Sequence, residues 1–509
     1  MPPSTPAPAS SDADVRQLGS STSAEERALV AAGVLLVAAA ALSGSDLLST
    51  LSAAAAVVLG AWPIAVRFRR CIPTQLACGI AAFWLVYAAV LGSLPPLGDA
   101  GAVADWASAE GRAFLALYAI AVGASFTSQR SVSDLVGWIV AAVAVSLVVG
   151  LVSHWFHVGP PPFDHRSRRL FHGLTSSHHV SGFLGAGLVV IVAAVPGLFR
   201  RWVRVATLLI GVLAIALAGS RSSLVGLGVG IVVVLAHLLD RRRAVLVVVA
   251  MTAAAALVLL PVPRFRQTVE IVTRPEFLSD VAAAFDDGTK QGARQLSDSE
   301  AEANMLIRFA LWGEEFDVIR SSPLVGIGRF RGNDDEVELR GVDGLVYVAV
   351  DGVRSPFGQP HNMYLLLLGE TGIVGLLLFA SPYVVAVRRT RRASIAATAP
   401  VDDSDGDGDE DDDAHDDGAA IDRDGTTPLP ATMSWSYWTG PEVAGPPEPA
   451  GWRALSRGSL AVGLTIGFFS ASLMTTGLGL ILNLLVFGAA AAYTDAVAAA
   501  GPVDGEASS

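Results

Sequence analysis

Charge is scarce in this chain. Only 16% of its 509 residues are Asp, Glu, Lys or Arg, against about 25% in a typical soluble domain. With 52% hydrophobic residues and a mean hydropathy of +0.52, this excludes an ordinary soluble fold and indicates an integral membrane protein. Cysteine is nearly missing. Cys71 falls at a membrane edge and Cys78 within an apolar run, so a disulfide framework is not indicated. The first apolar run, Ala28 to Leu42, has acidic Glu25 and Glu26 before it instead of a basic stretch, so no cleavable signal is read. Ionisable residues are almost absent inside the apolar runs, and no inverted repeat is visible. Both absences argue against a transporter or flippase. The net charge of −12 is concentrated in one run, Asp402 to Asp417, and nothing points to nucleic acid.

What the chain has in quantity is long apolar runs. A span needs roughly 20 apolar residues, and that ruler predicts an all-α membrane protein with about twelve transmembrane helices. They fall near 28–43, 47–66, 73–94, 112–127, 134–153, 179–198, 203–218, 223–239, 244–262, 363–387, 459–475 and 477–494. The organisation read from this is a disordered cytoplasmic leader (1–27), spans 1–9 (28–262), a long extracytoplasmic loop (263–360), span 10 (361–392), an acidic cytoplasmic insertion (393–458), spans 11–12 (459–494) and a tail (495–509). The positive-inside rule agrees. Arg67, Arg69 and Arg70, then Arg200, Arg201 and Arg204, then Arg241 to Arg243, then Arg388, Arg389, Arg391 and Arg392 all fall on the cytoplasmic side. In the insertion, Asp403-x-Asp405-x-Asp407-Gly408 imitates the start of a calcium loop. Ala414 occupies the twelfth position, where a bidentate Glu belongs, and the segment reads as a solvated linker. In the long loop, Met305, Phe309, Trp312, Phe316 and Ile319 recur at helical spacing. This predicts an amphipathic helix at the membrane surface, ended by Ser321-Ser322-Pro323.

One stretch joins polar chemistry to a span: Pro360-His361-Asn362-Met363-Tyr364-Leu365, continuing through Gly369-Glu370-Thr371-Gly372 to Phe379. Pro360 suits a helix start, and His361, Tyr364, Leu365 and Leu368 then share a face. Gly369, Gly372 and Gly375 would admit a close neighbour. Three arginines lie on the same outer side, where bases are disfavoured: Arg169 in Arg168-Arg169-Leu170-Phe171-His172-Gly173, Arg221 in Gly219-Ser220-Arg221-Ser222, and Arg308 four residues before Trp312. Bland readings stand beside each. Arg221 can snorkel to headgroups, Arg308 can pair with Glu314 or Glu315, Arg166 and Arg168 compete with Arg169, Tyr364 can simply pack, and Glu370 can be structural. His172, His178 and His179 have a spacing that permits metal binding but lack Cys and carboxylate partners.

His-Asn-x-Tyr-Leu followed by Glu-x-Gly, with the Ser-Arg pair, the Arg-x-x-x-Trp helix and Ser-Pro-Leu-x-Gly-x-Gly in this order, resembles the O-antigen ligase and O-antigen polymerase-like family. The resemblance implies a GT-C-like helical fold in the inner membrane and a site on its outer face. It implies a glycosyltransferase taking glycan from an undecaprenyl-diphosphate donor to a glycan, lipid or protein acceptor, with no metal or other cofactor. Ligation, polymerisation and protein O-glycosylation all remain open under it. His361 would be the catalytic base and Arg169, Arg221 and Arg308 the diphosphate ligands. Asn362, Tyr364 and Glu370 would support them. The chemistry suits these residues: guanidinium groups recognise phosphate in a bidentate manner and stabilise a departing diphosphate. An imidazole can accept the proton of the attacking hydroxyl.

Overall fold

A backbone that enters hydrocarbon must satisfy its own N–H and C=O groups, so long apolar runs become helices. A computed structural model of the chain describes residues 24–68, 114–156, 177–259, 263–287, 290–326, 362–396, 449–469 and 473–499, with short pieces at 75, 77, 79–80, 173–175, 349–350 and 353–354. The loop arginines Arg166, Arg168 and Arg169, together with His172, His361 and residues 397–448 of the acidic insertion, lie outside the described residues.

The first half of the chain forms α1 (Ala24–Ala41), α2 (Asp46–Arg67), α3 (Phe114–Ala124), α4 (Gln129–Phe156), α5 (His178–Ala194), α6 (Arg201–Ala218), α7 (Arg221–Leu238) and α8 (Arg241–Leu259). Four smaller helices follow: α9 (Pro263–Val272), α10 (Phe277–Asp287), α11 (Lys290–Gln295) and the longer α12 (Glu300–Ser321). A two-stranded antiparallel hairpin, β1 (Ala349–Val350) and β2 (Val353–Arg354), is the one non-helical element among the described residues. The chain then returns through α13 (Met363–Ala396), α14 (Pro449–Phe469) and α15 (Leu473–Ala499). Every other apolar run expected to span carries a helix; most of 73–94 lies outside the described residues. Among the described residues five helices are long and apolar enough to cross a membrane: α2, α4, α6, α7 and the Met363–Arg388 part of α13.

Two of the shorter apolar helices form the centre. α5 and the Leu478–Thr494 part of α15 are hydrophobic on every side, and such helices are buried. Phe183, Leu184, Ile481, Leu485 and Phe487 are all inaccessible to solvent. Around them α1 packs on α2, α6 on α5, and α14 on both α7 and α15. At the α7–α14 crossing Gly230 and Gly458 face each other, and a Cβ on either would collide with valine side chains. Small residues of this kind let membrane helices approach closely.

The four helices α9 to α12 form a separate small layer with its own apolar centre: Ile271, Phe277, Ala284, Ala293, Leu306 and Ala310. Arg274 holds the layer together by ion pairs to Asp280, Asp298 and buried Glu302. The face of α12 predicted from spacing is not its buried face. Ala303, Leu306, Ala310 and Val318 are buried, whereas Met305, Phe309, Trp312 and Ile319 are only half-buried and Phe316 is exposed. α12 has apolar residues on both sides because it is wedged between α10 and α13. A single stripe at helical spacing captured only one of its two contacts.

α13 is broken. Gly372 has φ +63° and ψ −169° within the helix, so its successors lose their usual carbonyl partners. The turn after α12 replaces them: the N–H groups of Ile373 and Val374 donate to the carbonyls of Pro323 and Leu324 at 2.9 and 3.2 Å. Gly326, with φ +70°, lies against the backbone of Glu370 and Thr371. The Gly369, Gly372, Gly375 series therefore serves different purposes. Gly369 admits the Glu315 carboxylate of α12, Gly372 makes the break, and Gly375 meets only Thr371 of its own helix.

Candidate functional site

α6 ends because Gly219 takes the left-handed conformation, φ 60°, and its N–H donates back to Ile215 and Ala216. Ser220 then caps α7, its hydroxyl accepting from the N–H of Ser223 at 3.3 Å. This tight corner brings Arg221 to the first turn of α7 with its side chain exposed. The layer α9–α12 sits over the same end of the bundle and brings in Arg308. The two arginines line one cleft of about 510 Å³. Its apolar wall is Phe309 and Trp312 of α12 with Phe469 of α14. Trp312 meets Phe468 edge-on at a ring separation of 5.5 Å.

Electrostatics single out Arg308. Burial lowers its pKa, and the Arg221 guanidinium lowers it further. Among the described residues no carboxylate pairs with it, so the expected alternative of a bridge to Glu314 or Glu315 is not observed. Those two glutamates are buried on the other side of α12, and Glu315 lies against Gly369 of α13. The like charge of Arg221 beside half-buried Arg308 favours an anion in the cleft.

The supporting residues separate. Asn362 caps α13: its side-chain carbonyl accepts from the N–H groups of Tyr364 and Leu365 at 3.0 and 3.3 Å. The Tyr364 hydroxyl donates to the carbonyl of Leu464 at 2.9 Å, tying α13 to α14. Glu370 is buried beside the break in α13. None of these three lines the cleft. The structure thus joins Arg221 and Arg308, while Arg169 and His361 lie outside the described residues.

Two residues not assigned to the site from sequence do line it: His178 and His179, at the start of α5. Their rings lie 4.0 Å apart, and His179 Nδ1 is 3.1 Å from the Ser220 hydroxyl. The available signal was their place at the end of a span that the charge pattern reads as outer, the same place that drew attention to Arg221. Among the described residues no three His, Cys, Asp or Glu are grouped to hold a metal.

Residues 206–380 match the sequence profile of the family described as O-antigen ligase. The matched region runs from α6 through the first half of α13, and so includes Arg221, Arg308 and His361. No curated protein matches the chain.

Proposed function

We propose that this O-antigen-ligase-like membrane protein is a glycosyltransferase, moving a glycan from a polyprenyl diphosphate to an acceptor hydroxyl. The observation that carries the proposal is the Arg221–Arg308 pair, brought from two separate layers into one cleft at a shared like-charge penalty. A diphosphate supplies the bridging anion, and as the leaving group it gains charge during transfer, so the pair stabilises the transition state more than the ground state. His361 is proposed as the base that takes the acceptor proton. The next residue in sequence, Asn362, caps α13. Arg169 is proposed as a third diphosphate ligand. The apolar wall of Phe309, Trp312 and Phe469 would face the lipid portion of the donor.

In the further proposal the bundle is GT-C-like with about twelve spans, lies in the inner membrane and opens its cleft to the outer face. The alternation of charge supports this. Following the antiparallel helices from the cleft, Arg200, Arg201, Arg204 and Arg241 to Arg243 all fall at the opposite end, as the positive-inside rule requires. Among acceptors, lipid-linked core oligosaccharide fits the family match first and polymerisation of repeat units second. The break in α13 is the feature that would favour a transporter, whose broken helices line a cavity. Here the break is filled by the Pro323–Gly326 turn.

The test is reconstitution with an undecaprenyl-diphosphate glycan and candidate acceptors, with and without chelator. Arg221→Gln and His361→Ala should abolish transfer while the protein still accumulates. Unchanged glycan output from both variants would refute the proposal.

A further inference from the structure

The turn after α12 and the break in α13 grip each other by their backbones. The Ser322 hydroxyl donates to the Gly326 carbonyl at 2.8 Å, and the Gly326 N–H donates to the Ser322 carbonyl at 3.0 Å. These two bonds close residues 322–326 into a knot that ends at left-handed Gly326. A helix start leaves N–H groups without partners in the helix. After the break those of Ile373 and Val374 both go to the knot, at Pro323 and Leu324. Gly326 lies against the backbone of Glu370 and Thr371, and Gly372 against that of Leu324 and Val325, so neither place has room for a Cβ.

Side-chain packing resists sliding weakly: packed helices shift past one another by about 1–2 Å in allosteric transitions. α12 touches the bundle through contacts of that kind. Trp312 meets Phe468 of α14, and Glu315 and Val318 pack on Gly369 of α13. Its contacts to Phe285 and Arg274 lie within the α9–α12 layer and do not locate the layer on the bundle. Backbone hydrogen bonds do fix a register, and the knot follows α12 directly. Arg308 stands 13 residues before Ser321, the last residue of α12, or about 20 Å along the axis. A helix carries an axial shift of one end through to that distance.

We infer that this clasp positions Arg308: the knot at 322–326, gripped by the break in α13, sets where α12 stands along its axis and so where the guanidinium meets the diphosphate. The inference rests on the proposed diphosphate site and adds its positioning residues. They are Ser322, Gly326, Gly372 and the N–H of Ile373, none of which lines the cleft. Misplacement of a reacting group by about 1 Å is enough to cost roughly a hundredfold in rate.

The test uses the full chain in nanodiscs with an undecaprenyl-diphosphate glycan and candidate acceptors. Single-turnover transfer is read beside the melting temperature. Ile373→Pro is the sharpest variant. Ile373 is the first residue after the break, where proline is well tolerated. Gly372, with ψ −169°, already has the extended ψ of a residue before proline. The variant removes the N–H that reaches Pro323 and leaves the helix in place. It should slow transfer by about tenfold. Ile373→Ala keeps the N–H and should stay within about twofold of wild type. Gly326→Ala pushes the knot off α13 and should act in the same direction as Ile373→Pro. In an Arg308→Gln background, Ile373→Pro should add less than about twofold, because no guanidinium is left to misplace. Ser322→Ala, which removes only the hydroxyl that closes the knot, repeats the test should either clasp variant fail to accumulate.

A loss repeated in full on the Arg308→Gln background would mean that the clasp acts through stability or another group, and overturns the inference. Wild-type rates in both Ile373→Pro and Gly326→Ala overturn it too, as does an equal loss in Ile373→Ala. If Arg308→Gln alone still loses transfer in those cases, the functional reading stands without the clasp. Wild-type transfer by Arg308→Gln, or no transfer by the unaltered protein, sinks both.

Discussion

A guanidinium's value in this cleft lies in geometry as well as charge. Arg308 is half-buried beside Arg221, where a planar fork can span two phosphate oxygens and a lysine cannot. Arg308→Lys should therefore lower kcat by roughly tenfold, and Arg308→Gln by roughly a hundredfold or more, with the melting temperature held. Single-turnover transfer beside a thermal-shift measurement checks both; wild-type activity in Arg308→Lys would show that charge alone matters. Asn362→Ala should act differently. It removes a cap worth about 1 kcal/mol, so it should lower stability modestly and displace the adjacent His361. Arg221 and Arg308 were legible in the sequence because a base on the outer side of a membrane protein needs a reason. His178 and His179 were visible too, but their spacing only permitted a metal whose other ligands were missing, and only the fold shows them beside two arginines. The capping role of Asn362 was hidden by Pro360, which suggested an earlier helix start.

Elements show where reading by period succeeds and where it stops. The apolar run 223–239 located α7, but its start at Arg221, set by left-handed Gly219 and the capping hydroxyl of Ser220, was not read from it. The end of α12 was legible from Ser321-Ser322-Pro323. The packing of α12 was not, since a helix with partners on two sides has no single apolar stripe. Nor was the break in α13, because a glycine inside an apolar run looks the same whether it admits a neighbour or leaves the helix. Gly372→Ala should be costly. It puts a Cβ on a residue with φ +63° and 2.3 Å from the Leu324 backbone, so a loss of about 3 kcal/mol is expected. Gly375→Ala strains no left-handed residue, but its Cβ would fall 2.2 Å from the Cβ of buried Thr371 in its own helix; it should be costly too, by less. Unfolding of purified protein in detergent would rank the two. Arg274→Met should also destabilise, by about 3 kcal/mol, because Glu302 is left buried at 1% exposure without its cation. Since that layer carries Arg308, donor affinity should fall with it; loosening without loss of affinity would show that α12 is held by α13 alone.

At the scale of the molecule, sidedness decides what the cleft can do. A polyprenyl diphosphate whose glycan is destined for the cell surface is used at the outer leaflet. The same arginines facing the cytoplasm would meet soluble phosphates instead. The helices α5, α6, α7 and α8 run alternately between the cleft end and an arginine-rich end, so one fixed point orients the rest. Thr268 lines the cleft, and exposed Arg242 lies at the far end of α7, at the start of α8. With Cys71 and Cys78 replaced by alanine, Thr268→Cys should react with a membrane-impermeant thiol reagent in intact cells. Arg242→Cys should react only after the membrane is opened. The reverse pattern would turn the cleft toward the cytoplasm, and the lipid-linked donor would then have to be abandoned even if Arg221 and Arg308 still bound phosphate. Labelling of both positions in intact cells would mean that α7 does not cross, contrary to its length and apolar character.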